Sequence, residues 1–476
     1  MTDKVYVARH LVAGKWIDSP DQNMIVSPFD GKAASSVAMG NAKITDAAIG
    51  SAVVAAPSVA AMPGYKRAAI LNRVAVLIEE RASDVGRLMA RETGKAIKDA
   101  VAEVRRSQDT IILSAQEAIR IEGEHVPLDG SEMGAGKIAF MLRHPIGVVG
   151  AITPFNAPFN LSCHKLGPAF AAGNAVVLKA PPQAAGVVTM LVEMFVDAGI
   201  PAGAINLVHG GSEIGQQIVS DPRVDFITFT GSSRAGAEIK ARTGLRRVAL
   251  ELGGSGQTIV HADADVGSAA RMCARNSMRL AGQSCISVQN VFVHRDVLDD
   301  FTQEAIAEIR KLKVGDPLES ETDVGTVIDV PTAMRVESWI NEAIKAGARL
   351  LVGGKRHGAQ LEPTVLTDVK PDMKVVCEEV FGPVMSIVPY HSFDDAVAMV
   401  NAGRYGLQCG VFTRSNVLTM QAIRTIRSGG VIINGTSTWR TDQLAYGGVK
   451  DSGIGREGPH YAIRDMTEER LVVFNM

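Results

Sequence analysis

The chain reads as an α/β protein with two domains, each built on a parallel sheet wrapped by helices, and a small β element besides. Three observations predict this. Residues 147–152, 175–178, 204–208 and 226–229 are short apolar runs separated by helical segments, the pattern of a doubly wound parallel sheet. The same alternation resumes after Ile259, through residues 291–293 and 384–388, which implies a second α/β domain. At 476 residues the chain is too long for one ordinary core, so two or three domains are expected.

Ahead of the first sheet, residues 44–61, 66–91 and 95–118 carry apolar side chains at helical spacing, punctuated by Pro63-Gly64 and Gly94. Residues 119–128 and 137–143 are extended runs around Asp129-Gly130-Ser131, and Arg470-Leu471-Val472-Val473-Phe474 is a short apolar strand near the C-terminus. An uncovered hairpin and terminal strand would invite aggregation, so these segments are expected to form an oligomerisation element. Packing of the tail onto its own chain is the alternative.

Composition narrows the partners. The 49 basic and 51 acidic residues leave a formal net charge of −2, with no field to attract nucleic acid or anionic lipid, so a small-molecule partner is favoured. With 46% apolar and 21% charged residues the chain has the profile of a folded soluble protein. Cysteines 163, 273, 285, 377 and 409 form an odd, scattered set without a CxxC pair, as expected of reduced thiols. The segment Met1-Thr2-Asp3-Lys4-Val5-Tyr6 lacks the apolar core of a signal peptide, and no apolar run reaches membrane-spanning length; a cytoplasmic location and no membrane partner are expected. The ten histidines are too dispersed for an evident metal site.

The chemistry-bearing segments lie further along. Gly282-Gln283-Ser284-Cys285 follows Glu251-Leu252-Gly253-Gly254, with 34 residues from Glu251 to Cys285. A thiol nucleophile paired with a carboxylate base suggests acyl transfer through a thioester, although a lone cysteine in a small-residue turn is usually inert packing. Glu251, between Leu250 and Leu252, is costly to bury without a task. Phe229-Thr230-Gly231-Ser232-Ser233-Arg234-Ala235-Gly236 follows a predicted strand and opens a predicted helix, where backbone amides can cradle a pyrophosphate. His209-Gly210-Gly211-Ser212-Glu213-Ile214-Gly215 is a second loop of this kind. Either could equally be a tightly packed helix start.

Together with Thr153-Pro154-Phe155-Asn156-Ala157-Pro158, Lys179, Glu378-Glu379-Val380-Phe381-Gly382-Pro383 and Tyr446-Gly447-Gly448-Val449-Lys450-Asp451-Ser452-Gly453, these segments resemble the aldehyde dehydrogenase superfamily along nearly the whole chain. The resemblance implies a Rossmann-type cofactor domain (1–121 and 142–253), an α/β catalytic domain (254–454) and a β oligomerisation element (122–141 and 455–476) in a homodimer or homotetramer. It implies that Cys285 attacks the aldehyde, that the Asn156 amide and the Cys285 backbone N–H hold the oxyanion, and that Glu251 activates the hydrolytic water. NAD or NADP is the implied cofactor. Lys179 would face the adenosine ribose, Ser232 the pyrophosphate and Glu379 the nicotinamide ribose, with Phe381 beside the nicotinamide. Thr153, Pro154, Phe155, Pro182, Gly211, Phe229, Gly231, Leu252 and Gly253 complete the expected cofactor contacts.

One position departs from the pattern. Many family members carry a glutamate three residues after the lysine numbered 179 here, whereas this chain has Pro182. The missing carboxylate removes an NAD-favouring contact and the repulsion that would reject a 2′-phosphate, so NADP is expected to be tolerated. Arg106, His164 and Arg440 are candidate substrate contacts and suggest a small hydroxylated or anion-tailed aldehyde, such as a lactaldehyde or a semialdehyde; surface or interdomain salt bridges are the plain alternative for the two arginines. A CoA-acylating enzyme and a catalytically silent protein on the same fold are the competing readings. Glu251 opposes the first, and the presence of Cys285, Glu251 and Asn156 opposes the second.

Overall fold

Helices Ala42–Ala60, Gly64–Thr93 and Ile97–Ala118 form where the apolar spacing puts them. Asn41 caps the first through its side-chain oxygen, which accepts from the Lys43 and Ile44 backbone amides, and the left-handed Gly94 ends the second. Leu71, Val74, Ile78, Val85 and Met89 of the second helix join Val104 and Ile111 of the third in one buried core with the first sheet. The computed structural model describes residues 4–475; residues 1–3 and Met476, the outermost ends of the expected cofactor and oligomerisation regions, lie outside the described residues.

The first sheet has eight strands. Its centre is parallel, in the order Arg247–Glu251, Phe226–Thr230, Val148–Ile152, Ala175–Lys179, Ile205–Val208. Its edges correct the expectation of a purely parallel sheet. Gly453–Ile454 runs antiparallel beside Arg247–Glu251, and the hairpin His10–Val12 with Lys15–Ile17 closes the other side. These strands are two or three residues long, too short to carry an apolar pattern of their own. A second sheet of seven strands, all parallel except Arg349–Val352, carries the later half of the chain. A small N-terminal sheet of Tyr6–Ala8, Ala33–Ala38 and Gln22–Val26 was not anticipated from sequence.

The terminal strand Thr467–Asn475 pairs antiparallel along the whole of Lys137–Pro145 in its own chain, with Glu124–Val126 on the far side. Ile138, Leu142, Leu471, Val473 and Phe474 of this three-stranded sheet stay exposed, and the outer edge of Thr467–Asn475 is unpaired among the described residues. No single helix among the described residues is long and apolar enough to cross a membrane.

In the first sheet, chain order runs outward from Val148–Ile152 in both directions, through Ala175–Lys179 on one side and Phe226–Thr230 on the other. Such a reversal leaves a crevice outside the carboxyl ends of the strands, where ligands of open α/β sheets bind.

Candidate active site

The expected cofactor residues gather at those carboxyl ends. Thr153, Pro154 and Phe155 follow Val148–Ile152, Lys179 ends its strand, and Gly231 and Ser232 follow Phe226–Thr230. Gly211 follows Ile205–Val208, while Leu252 and Gly253 follow Arg247–Glu251. Ser232 caps the helix Ser233–Thr243, its Oγ accepting from the Ala235 amide at 3.3 Å, which leaves the hydroxyl hydrogen free to donate. At Gly231 an added Cβ would lie 2.4 Å from the Phe229 ring, so the chain passes close over that ring only as glycine. Lys179 is buried and makes no hydrogen bond or ion pair among the described residues; burial pushes its ammonium down to about 8. An unpartnered, nearly buried ammonium facing a helix start fits a dinucleotide phosphate or ribose. Gly211 differs, because its amide already donates to Glu213 Oε1 at 2.9 Å. Pro182 is exposed at the start of the short turn Pro182–Ala184.

From the later half of the chain, Glu379 Oε1 accepts from the Gly254 amide at 3.1 Å, and burial pushes this carboxyl up to about 7. Phe381 meets Phe155 edge to face, with ring centroids 6.0 Å apart. The segments Glu251–Gly254 and Glu378–Pro383 thus meet at the carboxyl ends of the first sheet.

Cys285 is carried by an unusual loop. The helix Val266–Met278 ends, and Leu280, Ala281 and Gly282 all take left-handed backbone angles, with φ of 56°, 51° and 70°. Two of these are not glycine, so the loop holds strain that its surroundings must fix. Gln283 is the anchor: its Oε1 accepts from the Ile328 amide at 2.8 Å, and its Nε2 reaches the Leu280 and Thr326 carbonyls. A Cβ at Gly282 would fall 1.9 Å from the Gly382 carbonyl oxygen, which explains the glycine at 282. Asn156 Nδ2 donates to the Gln283 carbonyl at 3.0 Å, placing its amide beside the cysteine loop with one N–H unused.

The half-buried Cys285 opens on a cavity of 140 Å³ that is also lined by Asn156, Arg106, Arg279, Arg440, Thr438 and Tyr446. Its Sγ lies 3.1 Å from the Tyr446 hydroxyl. Burial pushes the thiol up, against a pull downward from that hydrogen bond.

Glu251 ends its strand wholly buried, and neither carboxylate oxygen has a hydrogen-bond partner. Burial, then the neighbouring Glu457, pushes its carboxyl well up, while Arg440, Lys165 and Arg456 pull the other way. A Cβ at Gly447 would sit 2.8 Å from Glu251 Oε1, so the C-terminal segment closes over this carboxylate as glycine. Both oxygens of this buried glutamate therefore keep their capacity to accept a hydrogen bond or a proton.

Behind the cavity runs a network that sequence reasoning missed in part. Arg106 grips Asp442 with two bonds, at 2.6 and 3.4 Å. His164 Nε2 lies 3.1 Å from Asp442 Oδ1 and 3.1 Å from Arg440 Nη2. Arg440 bonds Glu457 at 2.9 Å, and Lys165 reaches the same carboxylate at 3.3 Å and Thr230 Oγ1 at 2.7 Å. Burial and the Arg440 charge push His164 down, toward the neutral imidazole, whose Nε2 serves either as donor to Asp442 or as acceptor from Arg440. Burial raises the Asp442 carboxyl, but the His164 hydrogen bond and the Arg106 pairing more than reverse this and hold it well below the usual range. Of the three expected substrate contacts, Arg106 and Arg440 line the cavity while engaged in ion pairs. His164 does not line it: its side chain is fully enclosed behind the wall, because the helix Pro158–Ala172 is buried on every face. Sequence reasoning assigns no role to Asp442, Glu457 or Lys165; the contacts of Asp442 with His164 and Arg106 and of Lys165 with Glu457 span 278–336 residues of sequence. Lys165 left one signal, a charge inside a helix otherwise made of apolar and small residues, which demands a buried partner. Among the described residues no group of His, Cys, Asp and Glu is arranged to hold a metal.

Known proteins agree with this architecture. The aldehyde dehydrogenase family profile matches residues 16–472. The 3-sulfolactaldehyde dehydrogenase of Priestia megaterium is 42% identical over 467 residues, spanning 98% of this chain and 97% of that protein. Aldehyde dehydrogenase 21 of Physcomitrella patens, solved with its product succinate, superposes with a TM-score of 0.96 at 36% identity, covering 99% of each chain. The NADP-dependent glyceraldehyde-3-phosphate dehydrogenase of Bacillus halodurans, solved with NADP, gives 0.96 at 36% identity, again over 99% of each. A wholly buried carboxylate whose charge acts on a half-buried thiol, in a chain matched almost end to end, places this protein in the aldehyde dehydrogenase family, as an enzyme that oxidises aldehydes with NAD(P).

Proposed function

We propose that this enzyme converts a small aldehyde bearing an anionic tail or a hydroxyl group to its carboxylic acid, by hydrolysis of a thioester formed on Cys285. The observation that carries the substrate reading is the cavity over Cys285. At 140 Å³ it is on the order of the space that admits one benzene ring, too small for a long alkyl chain. Arg106 and Arg279 line it with side chains 39% and 58% exposed. Arg106 bonds Asp442 through Nε and Nη2, and Arg279 bonds Asp99 through Nε, so both guanidinium groups keep free N–H donors for an anion. The succinate product of the Physcomitrella enzyme and the sulfonated aldehyde named for the Priestia enzyme belong to that chemical class.

In this reading the Cys285 thiolate attacks the carbonyl carbon, and the free Asn156 N–H with the Cys285 backbone N–H receives the developing oxyanion. Bound NAD(P) supplies the hydride acceptor. The residues fit that group: unpartnered Lys179 and the Ser232 cap toward the adenosine end, Glu379 and Phe381 toward the nicotinamide. Glu251 then takes a proton from water, and the hydroxide attacks the thioester and releases the acid. The domain division, with the three-stranded sheet as an oligomerisation element of a homodimer or homotetramer, is part of the proposal; the exposed apolar side chains and free edge of that sheet support it. So is a cytoplasmic location, which five unbridged cysteines fit.

The test is nicotinamide absorbance growth with a panel of sulfonated, carboxylated, hydroxylated and neutral alkyl aldehydes, with and without CoA. Anion-tailed or hydroxylated aldehydes should give the highest kcat/KM. A preference for long neutral aldehydes overturns the substrate reading, a requirement for CoA overturns the hydrolytic one, and no turnover with any aldehyde overturns both.

A further inference from the structure

Tyr446 is fixed from two sides against the nucleophile. Its backbone exchanges hydrogen bonds with Glu457, N to O at 3.1 Å and O from N at 2.6 Å. The Glu457 carboxylate holds Arg440, whose guanidinium carbon lies 3.7 Å from the centre of the Tyr446 ring. The phenol oxygen then falls 3.1 Å from Cys285 Sγ. The ring is 4% exposed, so neither contact is shared with bulk water.

We propose that Tyr446 is a further catalytic residue, whose hydroxyl donates a hydrogen bond to the Cys285 thiolate and keeps the nucleophile ionised, with Arg440 a positioning residue that clamps the ring. The proposal rests on Cys285 being the nucleophile. A charged acceptor makes this the stronger class of hydrogen bond, and a cation stacked on the ring face steadies the phenol at the angle the sulfur needs. The charged groups facing Cys285 are Glu379 and Glu251, which oppose ionisation, and Arg440, which favours it. Tyr446 stays a donor throughout, because burial and the Cys285 charge push its own ionisation far up. When the sulfur–carbon bond forms, the sulfur loses its charge and the phenol is released.

The experiment is alkylation of Cys285 by iodoacetamide between pH 6 and 10.5 in the full-length enzyme, followed by peptide mass spectrometry, in wild type and Tyr446→Phe. The phenylalanine ring keeps the packing, and thermal melts check the fold. Losing the donor should raise the ionisation midpoint by about one pH unit, a tenfold drop in thiolate at neutral pH. A more basic thiolate is intrinsically about threefold more reactive, from a Brønsted slope of about 0.45, so alkylation at pH 7 should fall only about threefold while the high-pH plateau rises about threefold. That crossing of the two curves is a signature a packing role would not give. Curves that superpose, or a variant slower at every pH, overturn the proposal. Cys285→Ala separates the premises: if it retains turnover, the nucleophile assignment fails, and if it is inactive while the curves superpose, the Tyr446 assignment alone fails.

Discussion

Replacing Pro182 with glutamate should turn an enzyme that tolerates NADP into one that favours NAD. Pro182 stands three residues beyond Lys179, at the exposed start of the turn Pro182–Ala184, and offers neither charge nor side-chain acceptor. A carboxylate there and a 2′-phosphate charge about 5 Å away would repel by about 3 kcal/mol at an effective dielectric of about 20, and by about 0.8 kcal/mol in bulk water. Because the position is exposed, a value of about 1–2 kcal/mol is expected, a factor of about 5–30. Lys179 sharpens the case. Burial pushes its ammonium down to about 8, against the pull of Glu213, so it carries charge below that pH and loses it above. NADP affinity should therefore weaken as pH rises through about 8, more than NAD affinity does. The assay is the ratio of kcat/KM for the two cofactors with one good aldehyde, in wild type and variant, repeated at high salt, where screening should shrink the difference. A wild-type preference for NAD above about a thousandfold, roughly 4 kcal/mol, or a variant whose ratio does not move, would refute the reasoning.

Cys285→Ala should abolish turnover while leaving cofactor affinity nearly intact, since the thiol acts in the covalent step; retained oxidation in steady-state assays counts against it. Glu251→Gln should slow hydrolysis by about 10²- to 10⁴-fold and leave an acyl-enzyme visible by rapid-quench mass spectrometry, whereas normal release would mean another group activates the water. Because burial holds the Glu251 carboxyl up and only its ionised form can take the proton, wild-type deacylation should rise with pH, and the glutamine variant should lose that limb. Glu457→Gln removes the nearest negative charge, so it should move the limb to lower pH; an unmoved limb would show that Glu457 does not act on Glu251. Truncation from Arg470 removes the pairings with Lys137–Leu142 and should give smaller or aggregated species in sedimentation velocity, while an unchanged assembly would show that the strand serves its own chain alone.

How legible the molecule is in its sequence depends on whether an element's pattern is its own or borrowed. The three early helices and four of the five parallel strands of the first sheet carry a full apolar period or run, so each is readable in isolation, while Arg247–Glu251, bounded by charges, is not. The edge strands His10–Val12 and Gly453–Ile454 take their order from a neighbour and show nothing distinctive alone. The N-terminal strand Ala33–Ala38 is made of small residues, buried by contact with the Gly64–Thr93 helix and not by its own hydrophobicity. The candidate site divides the same way. Cys285, Glu251 and Asn156 stand in short local segments that carry the family resemblance, whereas the contacts Asp442–Arg106, Asp442–His164 and Lys165–Glu457 join residues hundreds of positions apart. Tyr446 stood inside a recognised segment, yet its contact with sulfur depends on the bridge to Glu457, which no local pattern announces.

The buried charges around Glu251 show why that carboxylate alone is left unpaired. Arg440, Lys165 and Arg456 supply three positive charges that act on Glu251, and Glu457 answers one of them. His164 is pushed toward its neutral form and adds little to the count. Positive charge is therefore in surplus while Glu251 is protonated, and the surplus falls when Glu251 ionises. An isolated carboxylate so deeply enclosed would resist ionising at any working pH, since burial in a low dielectric disfavours the charge. The surplus positive charge limits that penalty without a direct hydrogen bond, which would hold the carboxylate permanently ionised and make it a poor base. A group that must gain and lose a proton in each turnover is best left between those extremes. The absence of any partner on either Glu251 oxygen, beside Arg440 and Lys165 that both pair with Glu457 instead, is the structural form of that compromise.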